Sequence, residues 1–171
     1  VILFIIAVVL ITLIAQSIFA VYVTESIFSK NGSRKFIETV YGEEFAKSLS
    51  KKDSFLENKG ETISLESENK AFSALSIKNE NISESYVILC HAYGATSYSM
   101  GEYAKHFYDV GFNLLIPELT TAKGNDEKSL FLSTADIENV LFWIDYITEN
   151  NENPKIILFG VSTGGATVCE V

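Results

Sequence analysis

Gly160-Val161-Ser162-Thr163-Gly164, followed by Gly165, is the stretch of this sequence best fitted to chemistry, a G-x-S-x-G pentapeptide. A serine hydroxyl is a weak nucleophile until a neighbouring base takes its proton, so its placement decides what it can do. The five residues Lys155-Ile156-Ile157-Leu158-Phe159 form an apolar run after Pro154, as expected of a buried strand, and a helix is expected just past the serine. A turn that tight between strand and helix needs very small flanking residues, which Gly160, Gly164 and Gly165 supply. It would lift the Ser162 hydroxyl above the C-terminal edge of a sheet, at a helix N-terminus that favours developing negative charge. A turn that merely lets a helix pack on a strand would have the same composition.

The second candidate is His91-Ala92-Tyr93-Gly94, directly after the apolar run Tyr86-Val87-Ile88-Leu89-Cys90. The other histidine, His106, falls inside a helical pattern beside Phe107 and reads as an ordinary helix residue. Cys90 and Cys169 each have apolar neighbours and read as buried free thiols. No CxxC and no His or Cys at metal-ligand spacing accompanies them, so neither a metal nor an organic cofactor is expected.

Positioning these groups requires alternating strands and helices. Ile63 and Leu65, then Phe72, Ala74 and Ile77 across a turn at 67–70, predict an antiparallel hairpin with one wet face. Residues 86–90, 112–116 (stopped by Pro117) and 155–159 predict buried parallel strands. Between them, Met100, Tyr103, Ala104 and Phe107 mark one helix, closed by Gly111. Ser133 and Asp136 resemble a capping box opening another, whose buried face is Ile137, Val140, Leu141, Ile144 and Ile147. This order predicts an α/β fold, a doubly wound and mostly parallel sheet over 61–171.

Residues 1–23 contain no charge and only Thr12, Gln16 and Ser17 as polar interruptions. As a helix they would span about 35 Å, enough to cross a hydrocarbon core of roughly 30 Å, and the run is longer than a signal-peptide core. They are expected to form a single transmembrane anchor with Tyr22 at the interface, and the following domain is expected on the extracytoplasmic side. Residues 24–60 read as a polar connector with one amphipathic helix, its stripe formed by Ile37, Tyr41, Phe45 and Leu49 with Val40 alongside. The net charge of −9 and the lack of a basic stripe exclude a nucleic-acid partner.

On the ordered pair His91-Ala92-Tyr93-Gly94 and Gly160-Val161-Ser162-Thr163-Gly164, the chain over 61–171 resembles the α/β-hydrolase superfamily, especially its esterase and serine-aminopeptidase-like members. The resemblance implies Ser162 as the nucleophile, with an oxyanion hole made by the backbone N–H groups of Tyr93 and Thr163. His91, Gly94, Gly160 and Gly164 would shape the site. Two departures stand out. Ala92 replaces the family's usual glycine, and Pro117-Glu118-Leu119 begins a P-D-x-R-G-H-G-like segment that lacks its Arg and His.

In that family the acid and the histidine follow the nucleophile, whereas only nine residues follow Ser162 and none is His. The chain is therefore expected to be truncated after the nucleophile elbow, with base and acid supplied beyond it, and to be inactive and poorly soluble alone. The expected function is a membrane-anchored serine hydrolase acting on a small ester or amide. The alternative is a non-catalytic, membrane-tethered binding module of the same fold.

Overall fold

The computed structural model describes residues 2–28, 32–49, 51–67, 70–81, 83–120 and 134–171. Residues 68–69 of the expected turn, Ser133 of the expected capping box and the loop residues 121–124 lie outside them. The elements are α1 (Ile2–Phe28), α2 (Gly32–Tyr41), α3 (Glu43–Ser48), α4 (Ser54–Lys59), β1 (Glu61–Ser67), β2 (Lys70–Ile77) and β3 (Ser85–Cys90). A 3₁₀ turn at Ser97–Met100 leads into α5 (Gly101–Asp109), then β4 (Asn113–Pro117), α6 (Thr134–Glu149), β5 (Lys155–Gly160) and α7 (Thr163–Glu170).

The strands form one five-stranded sheet in the order β1-β2-β4-β3-β5. β1 and β2 are the antiparallel hairpin, with Ile63 opposite Ala74 and Leu65 opposite Phe72. β2 runs antiparallel to β4, while β3 is parallel to both β4 and β5. Side chains alternate across the pleat, so each apolar strand feeds two cores. Val87 and Leu89 of β3 meet Leu114 and Ile116 of β4 on the face covered by Leu56, Met100 and Ala104. Ile88 and Cys90 meet Leu115 on the other face, under Val140, Trp143 and Ile147 of α6.

Two helical expectations are corrected. Leu141 points outward, and Trp143, fully buried, takes the central place on α6. The face is Asp136, Asn139, Val140, Trp143 and Ile147, which mixes polar and apolar groups and so blurs the hydropathy pattern. The stripe between Ile37 and Leu49 is not one helix. Gly42, at φ 89°, splits it into α2 and α3, which leaves Ile37 buried but Tyr41 and Phe45 exposed. Cys169 is also corrected: it is exposed on α7, whereas Cys90 is buried, and both are free.

The packed unit reaches back before residue 61. Asp53 caps α4, its carboxylate accepting from the N–H groups of Phe55 (2.9 Å) and Leu56 (3.1 Å), and Leu56 is completely buried. Replacing Leu56 by alanine should cost about 2–5 kcal/mol of folding free energy, read by urea titration of the single tryptophan, Trp143. An unchanged midpoint would show that α4 is an accessory rather than part of the core.

α1 is continuous from Ile2 to Phe28, running past residue 23, where the expected anchor ends. Residues Ile6–Thr24 are long and apolar enough to cross a membrane, and none of that window is buried against the rest of the chain.

Candidate active site

β3 and β5 lie side by side with Cys90 opposite Gly160. The pairing carries one step further, the Val161 N–H donating to the Cys90 carbonyl at 3.1 Å. The loop after β3 and the turn after β5 therefore leave the same edge of the sheet as neighbours. The former holds His91, Tyr93 and Gly94, and the latter holds Ser162.

Ser162 has φ 54° and ψ −119°, the single non-glycine residue with positive φ among those described. Such a conformation costs on the order of 1–3 kcal/mol and persists only where its surroundings impose it. Here they do. Gly164 N–H donates to the Val161 carbonyl (3.0 Å) and Ala166 N–H to the Ser162 carbonyl (3.0 Å), which starts α7 immediately. A Cβ on Gly160 would collide with the Gly164 backbone, and one on Gly165 would stand 3.1 Å from the Gly160 carbonyl oxygen. One on Gly164 would strike the Cys90 carbonyl and stand 2.5 Å from that of His91. Ser162 is exposed and its side chain makes no capping hydrogen bond to α7. Thr163 opens α7, so its N–H belongs to the first turn, whose donors have no carbonyl partner within the helix.

The loop after β3 closes as a turn, Ala95 N–H donating to the Ala92 carbonyl at 3.1 Å across Tyr93 and Gly94. The left-handed residue in it is Gly94, at φ 68°; Ala92 needs no such freedom, which explains why alanine is accepted there. His91 is fully buried and acts as a strut. Its Nδ1 lies 2.9 Å from the Ala92 carbonyl and its Nε2 accepts from the Leu119 N–H at 3.1 Å. With Nε2 accepting, the ring is the neutral tautomer bearing its proton on Nδ1. Burial lowers its pKa below the ordinary histidine value, against the opposing effects of the Ala92 carbonyl and the charges of Glu118 and Asp136.

The loop after β4 is held from further sides by residues that the sequence pattern did not single out for this purpose. Glu118 accepts from Ser97 N–H (3.1 Å), and Asn139 donates to the Glu118 carbonyl (3.2 Å). Asp136 accepts from both the N–H and the hydroxyl of Thr120, each at 2.7 Å. Two polar residues, three apart, on the otherwise apolar face of α6 were the available signal for Asp136 and Asn139. From the N-terminal side, Ile37 of α2 reaches to 3.3 Å from the point where a Gly94 Cβ would stand.

The remaining nucleophile and base candidates stand apart from this chemistry. Burial, and secondarily the charge of Asp136, pushes the Cys90 thiol up to about 12, so it stays protonated at neutral pH. His106 is exposed in the last turn of α5, its ring 6.0 Å from that of Phe107. α5 runs back from the sheet edge that carries Ser162 to the start of β4, so His106 lies toward the opposite end of the sheet.

His91 yields a pH prediction. The unfolded chain takes up a proton near pH 6.5 that the buried ring resists, so stability is full above that pH and falls as pH drops below it. His91→Ala should cost about 1–3 kcal/mol at neutral pH by orphaning the buried Leu119 N–H, and should flatten that acid slope. Melting temperatures at several pH values from 7.5 to 5 would check both effects; an unaltered slope would contradict the burial of a neutral ring.

No protein-family model and no curated protein matches the sequence. Solved structures do match in fold. An α/β serine hydrolase homologue from Coxiella burnetii aligns with a TM-score of 0.54 at 14% identity, covering 64% of this chain and 55% of that one. The esterase Pf2001 of Pyrococcus furiosus gives 0.54 at 17% identity, covering 66% and 45%. Esterase 2 of Thermogutta terrifontis, solved phosphorylated by paraoxon, gives 0.51 at 14% identity, covering 64% and 45%. The fold is that of the α/β hydrolases. The chain spans about half the length of these neighbours.

Proposed function

We propose that this chain carries the nucleophile half of a membrane-anchored serine hydrolase that cleaves a small ester or amide. The observation that carries the reading is the backbone of Ser162, held at positive φ between β5 and α7 with its hydroxyl exposed. A protein keeps such strain in a non-glycine residue where the side chain must be presented. In the proposed mechanism Ser162 Oγ attacks the substrate carbonyl carbon while its proton passes to a general base. The N–H groups of Tyr93 and Thr163 hold the resulting oxyanion, each such donor being worth about 3 kcal/mol to the transition state. Collapse expels the alcohol or amine, which takes up the proton, and water then hydrolyses the acyl-serine ester. His91 is occupied as a strut and His106 lies on another part of the sheet, so neither is the general base in this mechanism. No cofactor enters any step. α1 tethers the domain, which we place on the extracytoplasmic side.

The same two histidines give the non-catalytic binding module its one specific support, since neither can serve Ser162. Quenching the full-length protein in acid during turnover of a p-nitrophenyl ester separates the two readings. Mass spectrometry should find the acyl group on the tryptic peptide that begins at Ile156 and contains Ser162. Release of p-nitrophenol with no acyl group on that peptide, or no release from a folded protein, would sink the acyl-enzyme mechanism.

A further inference from the structure

We propose that the exposed apolar surface formed by Val40, Tyr41 and Phe45 docks on the lipid bilayer, seating the domain against the membrane. The inference rests on the reading of α1 as a membrane helix. Ile37 begins the apolar stripe of α2 and is buried, 8% exposed, where it reaches the Gly94 loop. One turn later the stripe runs off the domain: Val40 is 53% exposed, Tyr41 63%, and Phe45, the first apolar residue of α3, 46%. The rings of Tyr41 and Phe45 lie 5.3 Å apart, so the exposed groups form one patch across the Gly42 break.

The occupant follows from chain order and charge. α2 starts four residues after α1 ends, so an embedded α1 keeps the patch within a short link of the bilayer surface. Three half-exposed side chains fall well short of the roughly 800 Å² per partner that a stable protein interface buries. They suit shallow insertion at the headgroup boundary, where tyrosine is favoured. Over 34–47 the charges cancel, Arg34, Lys35 and Lys47 against Glu38, Glu43 and Glu44. Insertion rather than attraction to anionic lipid would hold the patch, so neutral phosphatidylcholine should suffice and added salt should change little. Because Ile37 of the same helix meets the Gly94 loop, docking would fix that loop within one helix of the lipid.

The test uses the whole chain in phosphatidylcholine vesicles, some of whose acyl chains carry a nitroxide quencher. In a Cys169→Ser background the remaining thiol, Cys90, is buried and protonated, so an environment-sensitive fluorophore goes only to an added cysteine. Phe45→Cys and Val40→Cys report on the patch, Ile18→Cys on α1, and Leu141→Cys on the exposed face of α6. The labels at 40, 45 and 18 should lose most of their emission to the nitroxide lipid, in low or high salt, while that at 141 keeps it. Quenching at 18 but not at 40 and 45 would overturn the docking surface and leave the anchor standing. A blue shift at 45 without quenching would assign the patch to protein, such as a second copy, and overturn it equally. Quenching at 45 but not at 18 would uphold the patch and remove the anchor; quenching at neither would remove both.

Discussion

Gly164→Ala should dismantle the turn that presents Ser162, with a loss of stability at or above the upper end of the roughly 1–3 kcal/mol typical of overpacking. The added methyl would meet the carbonyls of Cys90 and His91, which are backbone and cannot rotate aside as a side chain would. Relief would require α7 to draw away from β3, breaking the approach that sets the Ser162 turn beside the His91 loop. Gly165→Ala is the informative companion. Its methyl would stand 3.1 Å from the Gly160 carbonyl oxygen, which a small shift can accommodate, so its cost should be clearly smaller. Urea titrations followed through buried Trp143 would rank the two. Equal and small effects would mean that strand and helix are not in the contact described.

Removing the hydroxyl should have the largest effect on activity. In the full-length protein, Ser162→Ala should lower kcat by roughly 10⁶-fold, the scale seen when a triad serine is removed. Its stability should stay within about 0.5 kcal/mol of the parent, because alanine at φ 54° is strained as serine is. Ser162→Gly should lose activity equally but gain about 1 kcal/mol of stability. Glycine relieves roughly 1–3 kcal/mol of backbone strain and returns roughly 0.5–1 in unfolded-state entropy. Ester turnover and thermal melts of the two variants together separate the serine's chemistry from its conformational cost. A Ser162→Gly variant less stable than Ser162→Ala would contradict the strained conformation.

Much of the fold was legible because β3 and β4 are buried on both faces and so appear as unbroken apolar runs. β5 carries the same kind of run but is not the buried strand expected: it lies at the edge of the described sheet, and Ile157 is 42% exposed. The hairpin showed itself by alternation at Ile63, Leu65, Phe72 and Ala74. The helices were harder to read. On α6 the buried face carries Asp136 and Asn139, which serve the loop after β4, so the apolar count drew Leu141 inward and passed over Trp143. α4 is six residues long, too short for any period to show, yet Leu56 is fully buried. Gly42 broke a period-four stripe that otherwise read as one helix. At the site, the glycines around Ser162 were readable because a tight turn demands them. The neutral, doubly bonded His91 was not, since its partners are backbone groups whose side-chain identities carry no signal.

The most direct test of Ser162 as a nucleophile is fluorophosphonate labelling of membranes that express the full-length protein, beside a Ser162→Ala control. A labelled band in the parent that vanishes in the control is expected. A folded, full-length protein that takes up no label, or a control that labels equally, would contradict the enzyme reading and leave the tethered binding module in its place.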